Sequence, residues 1–211
     1  MRDITKQIVE LEWAMFGKVQ NRGGRAACQD DAQTFFVMRT SQLAAWTEEM
    51  RQSYLDDLRA AQSAGRNPLA EKYGYMMART CPAEYEQIKD RLPPRTEEKD
   101  ALIGPICAAH VGWLEQLAAR YPILTGRGRA IRKEGDSPSS TSFETYLWGE
   151  LATYSLRTLR LYAAYVAQLL EEGRSMNEEI LLNTVRQYGY TSLDAAAVSY
   201  THLTLPTILR V

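Results

Sequence analysis

"SFETYLWGELATYSLRTLRLYAAYVAQLLEE" occupies residues 142–172. Phe143, Leu147, Tyr154 and Leu161 fall on one face of a helix that turns by about 100° per residue. Ser142 or Thr141 stands where a side-chain oxygen would cap the first turn, and "EEGRS" (171–175) closes the run. The spacing predicts one long, strongly apolar helix over about 142–172. The same face also carries Glu150 and Arg157, charged groups where a core is expected.

The pattern repeats on both sides of this stretch. Ile4, Ile8, Leu11, Met15 and Val19 predict a helix over 3–20. "NRGGRAACQDD" (21–31) breaks it, and a second long helix is predicted from about Asp31 to Ala64, ended by "GRNP" (65–68). "LAEKYGYMMART" (69–80) reads as a short helix. Pro82 suits the first turn of "PAEYEQIKDRL" (82–92). "PPRT" (93–96) punctuates again, with Thr96 a possible cap for a helix running to about Arg120. Pro105 lies inside that pattern and predicts a kink or a late start. A last helix spans about 176–188. The expected fold is therefore all-α: a single compact, orthogonal or bundle-like helical domain over 1–197, of roughly seven helices. Phe35, Trp46, Leu147 and Leu161 are expected in one core.

Between the helices, "YPILTGRGRAIRKEGDSPSST" (121–141) reads as a long basic loop with a Ser-rich end. Loops of this length within compact domains are often functional.

The chain ends in "VSYTHLTLPTILRV" (198–211), which does not continue the helical pattern. Val198 to Thr207 resemble, without mismatch, the translation of the transposase end and adapter used to fragment sequencing libraries. The frame closes on Val211 before a stop. On this reading the tail is artefactual and the natural C-terminus is missing, so 198–211 stay outside the fold and site expectations.

The formal net charge is −1, or −2 without the tail, which carries Arg210 and no acid. Such a balance does not support general binding to nucleic acid or to a membrane surface. No apolar run is long enough to span a bilayer, and the charged, amphipathic N-terminus lacks a signal-peptide core. Cys28, Cys81 and Cys107 have no metal-type spacing and read as reduced thiols of a cytoplasmic protein. Outside the tail His110 is the one histidine, which disfavours histidine-rich zinc sites, and no Glu-x-x-His motif of a di-iron bundle is present. No metal is expected.

Several polar residues sit on apolar faces. Glu12 falls within the arc of Ile8, Phe16 and Val19. Asp31, Phe35, Met38, Gln42 and Trp46 form one stripe, with Arg39 at its edge. His110 lies between Ile106 and Leu114. A buried charge without a partner costs several kcal/mol, roughly, so these groups need counter-charges. Candidate cations are Arg25, Arg39, Arg127, Arg129 and Arg157, whose planar forks suit carboxylate or phosphate. His110 and the cysteines read as core or structural residues, and the Trp and Tyr side chains as core with polar tips.

Three functions follow from these residues. In the first, a helical pocket binds an anionic or phosphorylated small molecule. Arg25, Arg39, Arg127 and Arg129 grip the anion, Gln29 and Gln42 orient it, and "GGRAACQDD" presents backbone N–H groups. In the second, an enzyme uses Glu12, Asp31 or Glu150 as general acid or base, its pKa raised by desolvation. In the third, the charges only satisfy one another and fix helix register in a structural or interaction protein. The first reading expects "GGRAACQDD" and "TGRGRAIRK" to meet in space near Glu12 and Glu150. A cavity lined by both segments would favour the first two readings, and full mutual pairing without one the third.

The stretches "EWAMFGKVQNRGGRAACQDDAQTFFVMRTSQLAAW" (12–46), "GRNPLAEKYGYMMART" (65–80), "GRGRAIRK" (126–133), "TSFETYLWGELATYSLRTL" (141–159) and "YGYTSLDAA" (188–196) resemble the bacterial family called domain of unknown function 4125. The resemblance covers nearly all of 1–197. It implies an all-helical cytosolic domain and assigns no activity and no catalytic residues. It further implies association with a nucleotidyltransferase-like protein, encoded nearby or fused.

Overall fold

A computed structural model of the chain describes residues 3–20, 24–126 and 128–200. Arg127 and residues 201–211 of the tail lie outside the described residues. The described chain is helical throughout, with one isolated bridge between Ser137 and Ser140.

Eleven α-helices follow one another: α1 (Ile4–Phe16), α2 (Ala32–Ala44), α3 (Glu48–Ser63), α4 (Pro68–Thr80), α5 (Pro82–Tyr85), α6 (Glu97–Arg120), α7 (Pro122–Thr125), α8 (Phe143–Ala152), α9 (Leu156–Glu171), α10 (Met176–Gln187) and α11 (Leu193–Tyr200). The expected all-α domain is correct, and the expected seven helices differ from the eleven for local reasons. Both long helices divide at a capping residue embedded in the apolar pattern. Thr47 accepts the Met50 N–H at 3.2 Å and starts α3, while Ser155 accepts the Thr158 N–H at 3.2 Å and starts α9. A cap satisfies one of the N–H groups that a helix start leaves orphaned, so an internal Ser or Thr can restart a helix without interrupting the apolar spacing. Thr96 and Ser142 cap α6 and α8 as expected, at 3.3 and 3.1 Å.

Other boundaries shift as well. The first helix stops at Phe16 rather than near residue 20. Helix α6 runs through Pro105 from Glu97 and has no late start. The segment 82–92 keeps α-helix only over Pro82–Tyr85, followed by a 3-10 turn at Lys89–Arg91. The basic loop 121–141 holds α7 and a 3-10 turn at Lys133–Gly135.

Helix α6 packs on α8, α9 and α10, α4 packs on α8, and α1 lies against α2, α3 and α4. Ile8, Leu43, Met50, Leu55, Leu58, Ile103, Ile106, Leu151, Leu159 and Leu169 form the centre of the main core. A second apolar cluster of Leu117, Leu124, Leu181, Val185, Leu193 and Ala196 joins α6, α7, α10 and α11. Trp46 and Leu147 are buried as expected. Phe35 and Leu161 are only partly buried and pack against the edge of the main core. The division at Ser155 accounts for Leu161: α9 restarts with its own phase and buries Leu159, Tyr162, Val166 and Leu169 instead.

Gly149 sets the distance between α4 and α8. A Cβ there would stand 2.9 Å from the Lys72 carbonyl oxygen and 2.7 Å from Met76 Cγ. The missing side chain lets the two helices close up, and that brings Lys72 beside Glu150.

Candidate functional site

Four charged side chains meet in the core. Arg39 on α2 donates from Nε and Nη2 to the two Glu12 oxygens of α1, at 2.8 and 2.5 Å. Its Nη1 donates to Glu150 Oε1 of α8 at 2.9 Å and to Gln42 Oε1 at 2.6 Å. Lys72 Nζ on α4 donates to Glu150 Oε2 at 2.8 Å. The Tyr54 hydroxyl donates to Glu12 at 2.7 Å, and the Tyr154 hydroxyl to Glu150 at 2.9 Å. All four charged side chains are at most 7% exposed. Two carboxylates and two cations leave the cluster neutral, and the tyrosine hydroxyls take up remaining acceptor positions. Such satisfaction is what a buried ionic group requires.

The pKa directions follow from this packing. Burial opposes the charge on Glu150, but Lys72 and Arg39 outweigh it and hold the carboxyl well below the usual carboxylate range. A carboxylate so held is a poor proton carrier near neutrality, which gives no support to Glu150 as a general acid or base. Asp31 is exposed and caps α2 by accepting the Thr34 N–H at 3.0 Å; that hydrogen bond lowers its pKa as well.

Beside the cluster lies a cavity of about 560 Å³, a volume in the range of small-molecule sites. Met38, Leu114, Leu117, Phe143, Leu147 and Leu181 give it apolar walls. Glu150 and Gln42 connect it to the charged cluster. A buried part of its wall is polar. His110 Nδ1 lies 2.6 Å from Asn177 Oδ1, and its Nε2 lies 3.0 Å from the Tyr162 hydroxyl. The network assigns Nδ1–H donating to Asn177 and Nε2 accepting from Tyr162. Burial pulls the His110 pKa down to about 4, so the ring is neutral at pH 7. It is the satisfied core histidine that its position between Ile106 and Leu114 suggests.

The mouth is formed by the segment after α7. Gly126, Gly128, Arg129, Ala130 and Ile131 line the cavity, and Arg129 and Ala130 are exposed. Two backbone bonds tie this segment to the start of α8: Phe143 N–H to Ala130 O at 2.8 Å and Glu144 N–H to Ile131 O at 3.0 Å. The Arg129 guanidinium lies 4.8 Å from the centre of the Tyr146 ring, and Nη1 donates to Thr141 O at 3.2 Å. Lys72 Nζ lies 3.4 Å from the same ring centre. Tyr146 thus stands between the buried cluster and the mouth.

Among the described residues, Arg129, Gln42 and Glu150 of the expected site line the cavity, while no residue of 24–31 does. Arg25 bonds at home, to Asp30 at 2.7 Å, to Gln29 O at 2.8 Å and to Gly17 O at 3.2 Å. Gln29 is buried and donates to Phe16 O and Val19 O, both at 2.9 Å, so it holds its own turn together. Arg39 and Glu12 belong to the cluster. Arg157, expected on one face with Glu150, is exposed on α9 and faces Asp56 at 3.9 Å. The break before Ser155 separates the two. Arg127 lies outside the described residues.

Lys72, Tyr162 and Asn177 were not singled out by the sequence. Lys72 carried the same signal as Glu12, a charge one turn from apolar Leu69 and Met76, on a helix of the same length as α1. Among the described residues no group of three His, Cys, Asp or Glu side chains is placed to hold a metal, and no helix is long and apolar enough to cross a membrane.

Neither the curated proteins nor the solved structures contain a match to this chain. One family model spans residues 2–197, almost everything outside the tail, and the chain belongs to that family, described as protein of unknown function (DUF4125).

Proposed function

We propose that the domain binds a small molecule with an apolar body and a single acidic group, carboxylate or phosphate, held at the cavity mouth by Arg129. The observation that carries this reading is the distribution of charge around the cavity. Arg129 brings an exposed cation to the rim of a cavity with largely apolar walls, and Glu150, the one carboxylate lining it among the described residues, is matched by Arg39 and Lys72. An acid there keeps contact with water, and its body enters the walls formed by Leu114, Leu117, Phe143 and Leu181. Burying an aliphatic body contributes about 0.8 kcal/mol per CH₂. The acid contributes orientation and some affinity.

Calorimetric titration with straight-chain fatty acids and the alcohols of equal length tests this. The acid should bind more tightly than the alcohol, with a preference that shrinks as salt rises. Arg129→Ala should weaken the acid by about tenfold and leave the alcohol unchanged. Equal binding of acid and alcohol, or no effect of Arg129→Ala, would remove the anion from the proposal. No binding of either probe would remove the ligand.

A further inference from the structure

One buried part of the cavity wall is polar although an apolar ligand body would not need it to be. Tyr162, His110 and Asn177 come from α9, α6 and α10, and with the Nδ1–H tautomer assigned above they form one chain of hydrogen bonds, Tyr162 O–H to His110 Nε2 and His110 Nδ1–H to Asn177 Oδ1; Met176 Sδ lies farther from the Tyr162 hydroxyl, at 3.4 Å. All three side chains line the cavity, and the three residues are 1%, 2% and 8% exposed. A directed chain polarises its ends, enriching the acceptor at the first oxygen and the donor at the last amide. The Tyr162 oxygen, beside the Trp46 indole, keeps a lone pair for an incoming donor. Asn177 Nδ2 has a single long bond, 3.4 Å to His110 O, and so keeps donor capacity.

Buried polar groups facing an apolar cavity leave hydrogen-bonding capacity unused unless an occupant or water meets it. A ligand that ended in a methyl group here would strand that capacity, and sites built to hydrogen-bond discriminate strongly against analogues lacking the group. A hydroxyl is both donor and acceptor, and it meets whichever end of the chain it reaches.

Resting on the proposed function, we infer that the ligand is two-ended: an acid at the Arg129 mouth, an aliphatic body, and a hydroxyl at the far end set against Tyr162 and Asn177. Hydroxylated medium- or long-chain acids are the chemical class that fits. Tyr162 and Asn177 are the specificity-determining residues, and His110 positions them both.

Paired titrations test this: straight-chain fatty acids and their ω-hydroxy counterparts of the same length, on the full chain and on Tyr162→Phe and Asn177→Leu. The best-fitting ω-hydroxy acid should bind about five- to tenfold more tightly than the plain acid. At least one of the two variants should bring that ratio close to one. The ratio is taken within each variant, so a loss of folded protein alters both affinities together and leaves the readout intact. A wild-type ratio of one or less overturns the inference while the acid-binding reading stands. A ratio above one that both variants preserve also overturns it. Failure of both probes to bind overturns the proposed function first.

Discussion

Arg39 ties α1, α2 and α8 together through one guanidinium. It spans two carboxylates from helices distant in sequence through direct hydrogen bonds. Removing one member of a buried pair leaves the other charged and unmatched. Arg39→Met should therefore cost roughly 3–5 kcal/mol in a denaturant titration, and adding Glu12→Gln should return part of that loss. A loss below about 1 kcal/mol would mean that water reaches the cluster. His110 makes a pH statement of its own. Its folded pKa of about 4 lies below the ordinary 6.5, so the unfolded chain binds the extra proton between these values. Stability from this group is complete above pH 6.5 and falls as pH drops toward 4, by roughly 3 kcal/mol. Glu150 acts lower, its contribution being lost only as pH falls below the unfolded value of 4.5. Stability measured from pH 7 to 5 should thus slope in the native protein and flatten in His110→Gln. An unchanged slope in the variant would place the titration elsewhere. Much of this was legible in the residues. Glu12, Arg39, Gln42 and Glu150 betray themselves as polar groups on apolar faces, and pairing is the response that burial demands. Arg25 misled because its charge is visible in the sequence while its partners, a neighbouring Asp30 and two backbone carbonyls, are not.

At the level of helices, the instructive failures are the two divisions at Thr47 and Ser155. Apolar periodicity reports which face is buried and is nearly blind to a short break, even one after which the helix restarts with a different phase, as α9 does. The caps were present as residues, yet Ser and Thr are common inside apolar helices and carry no mark of their role. Close approach of helices is legible in neither periodicity nor propensity. Gly149 within α8 looks like a mild weakness, since Gly disfavours helix by about 1 kcal/mol against Ala. The structure gives the opposite sense, because a methyl group there would meet the Lys72 carbonyl oxygen. Gly149→Ala should destabilise the protein by about 1–3 kcal/mol despite its better helix propensity. The damage should fall on Lys72 and Glu150, so Gly149→Ala and Lys72→Met should be less than additive in a double-mutant cycle. Gly149→Ala stabilising the protein would show that α4 and α8 have room to part.

Across the described residues, eleven α-helices pack around a neutral ionic cluster with a cavity beside it. Composition and charge pointed away from nucleic acid and membrane as partners, and periodicity reached the all-α class. The cavity was beyond both. Its walls come from α2, α6, α7, α8, α9, α10 and the segment after α7, and only tertiary packing brings these together. The sequence raised the basic segment 126–133 as a candidate, and of the two segments proposed it is the one beside the cavity, through Arg129. Mutual satisfaction of the cluster alone would describe a purely structural protein. The cavity, with its cationic rim and partly polar wall, is what favours a binding function. Native mass spectrometry of the intact chain, sprayed from volatile buffer before and after addition of ω-hydroxy fatty acids, tests that claim most directly. The expected result is one acid bound per chain, released on denaturation and markedly depleted in Arg129→Ala. A chain that stays at its bare mass throughout, with excess acid present, would contradict it.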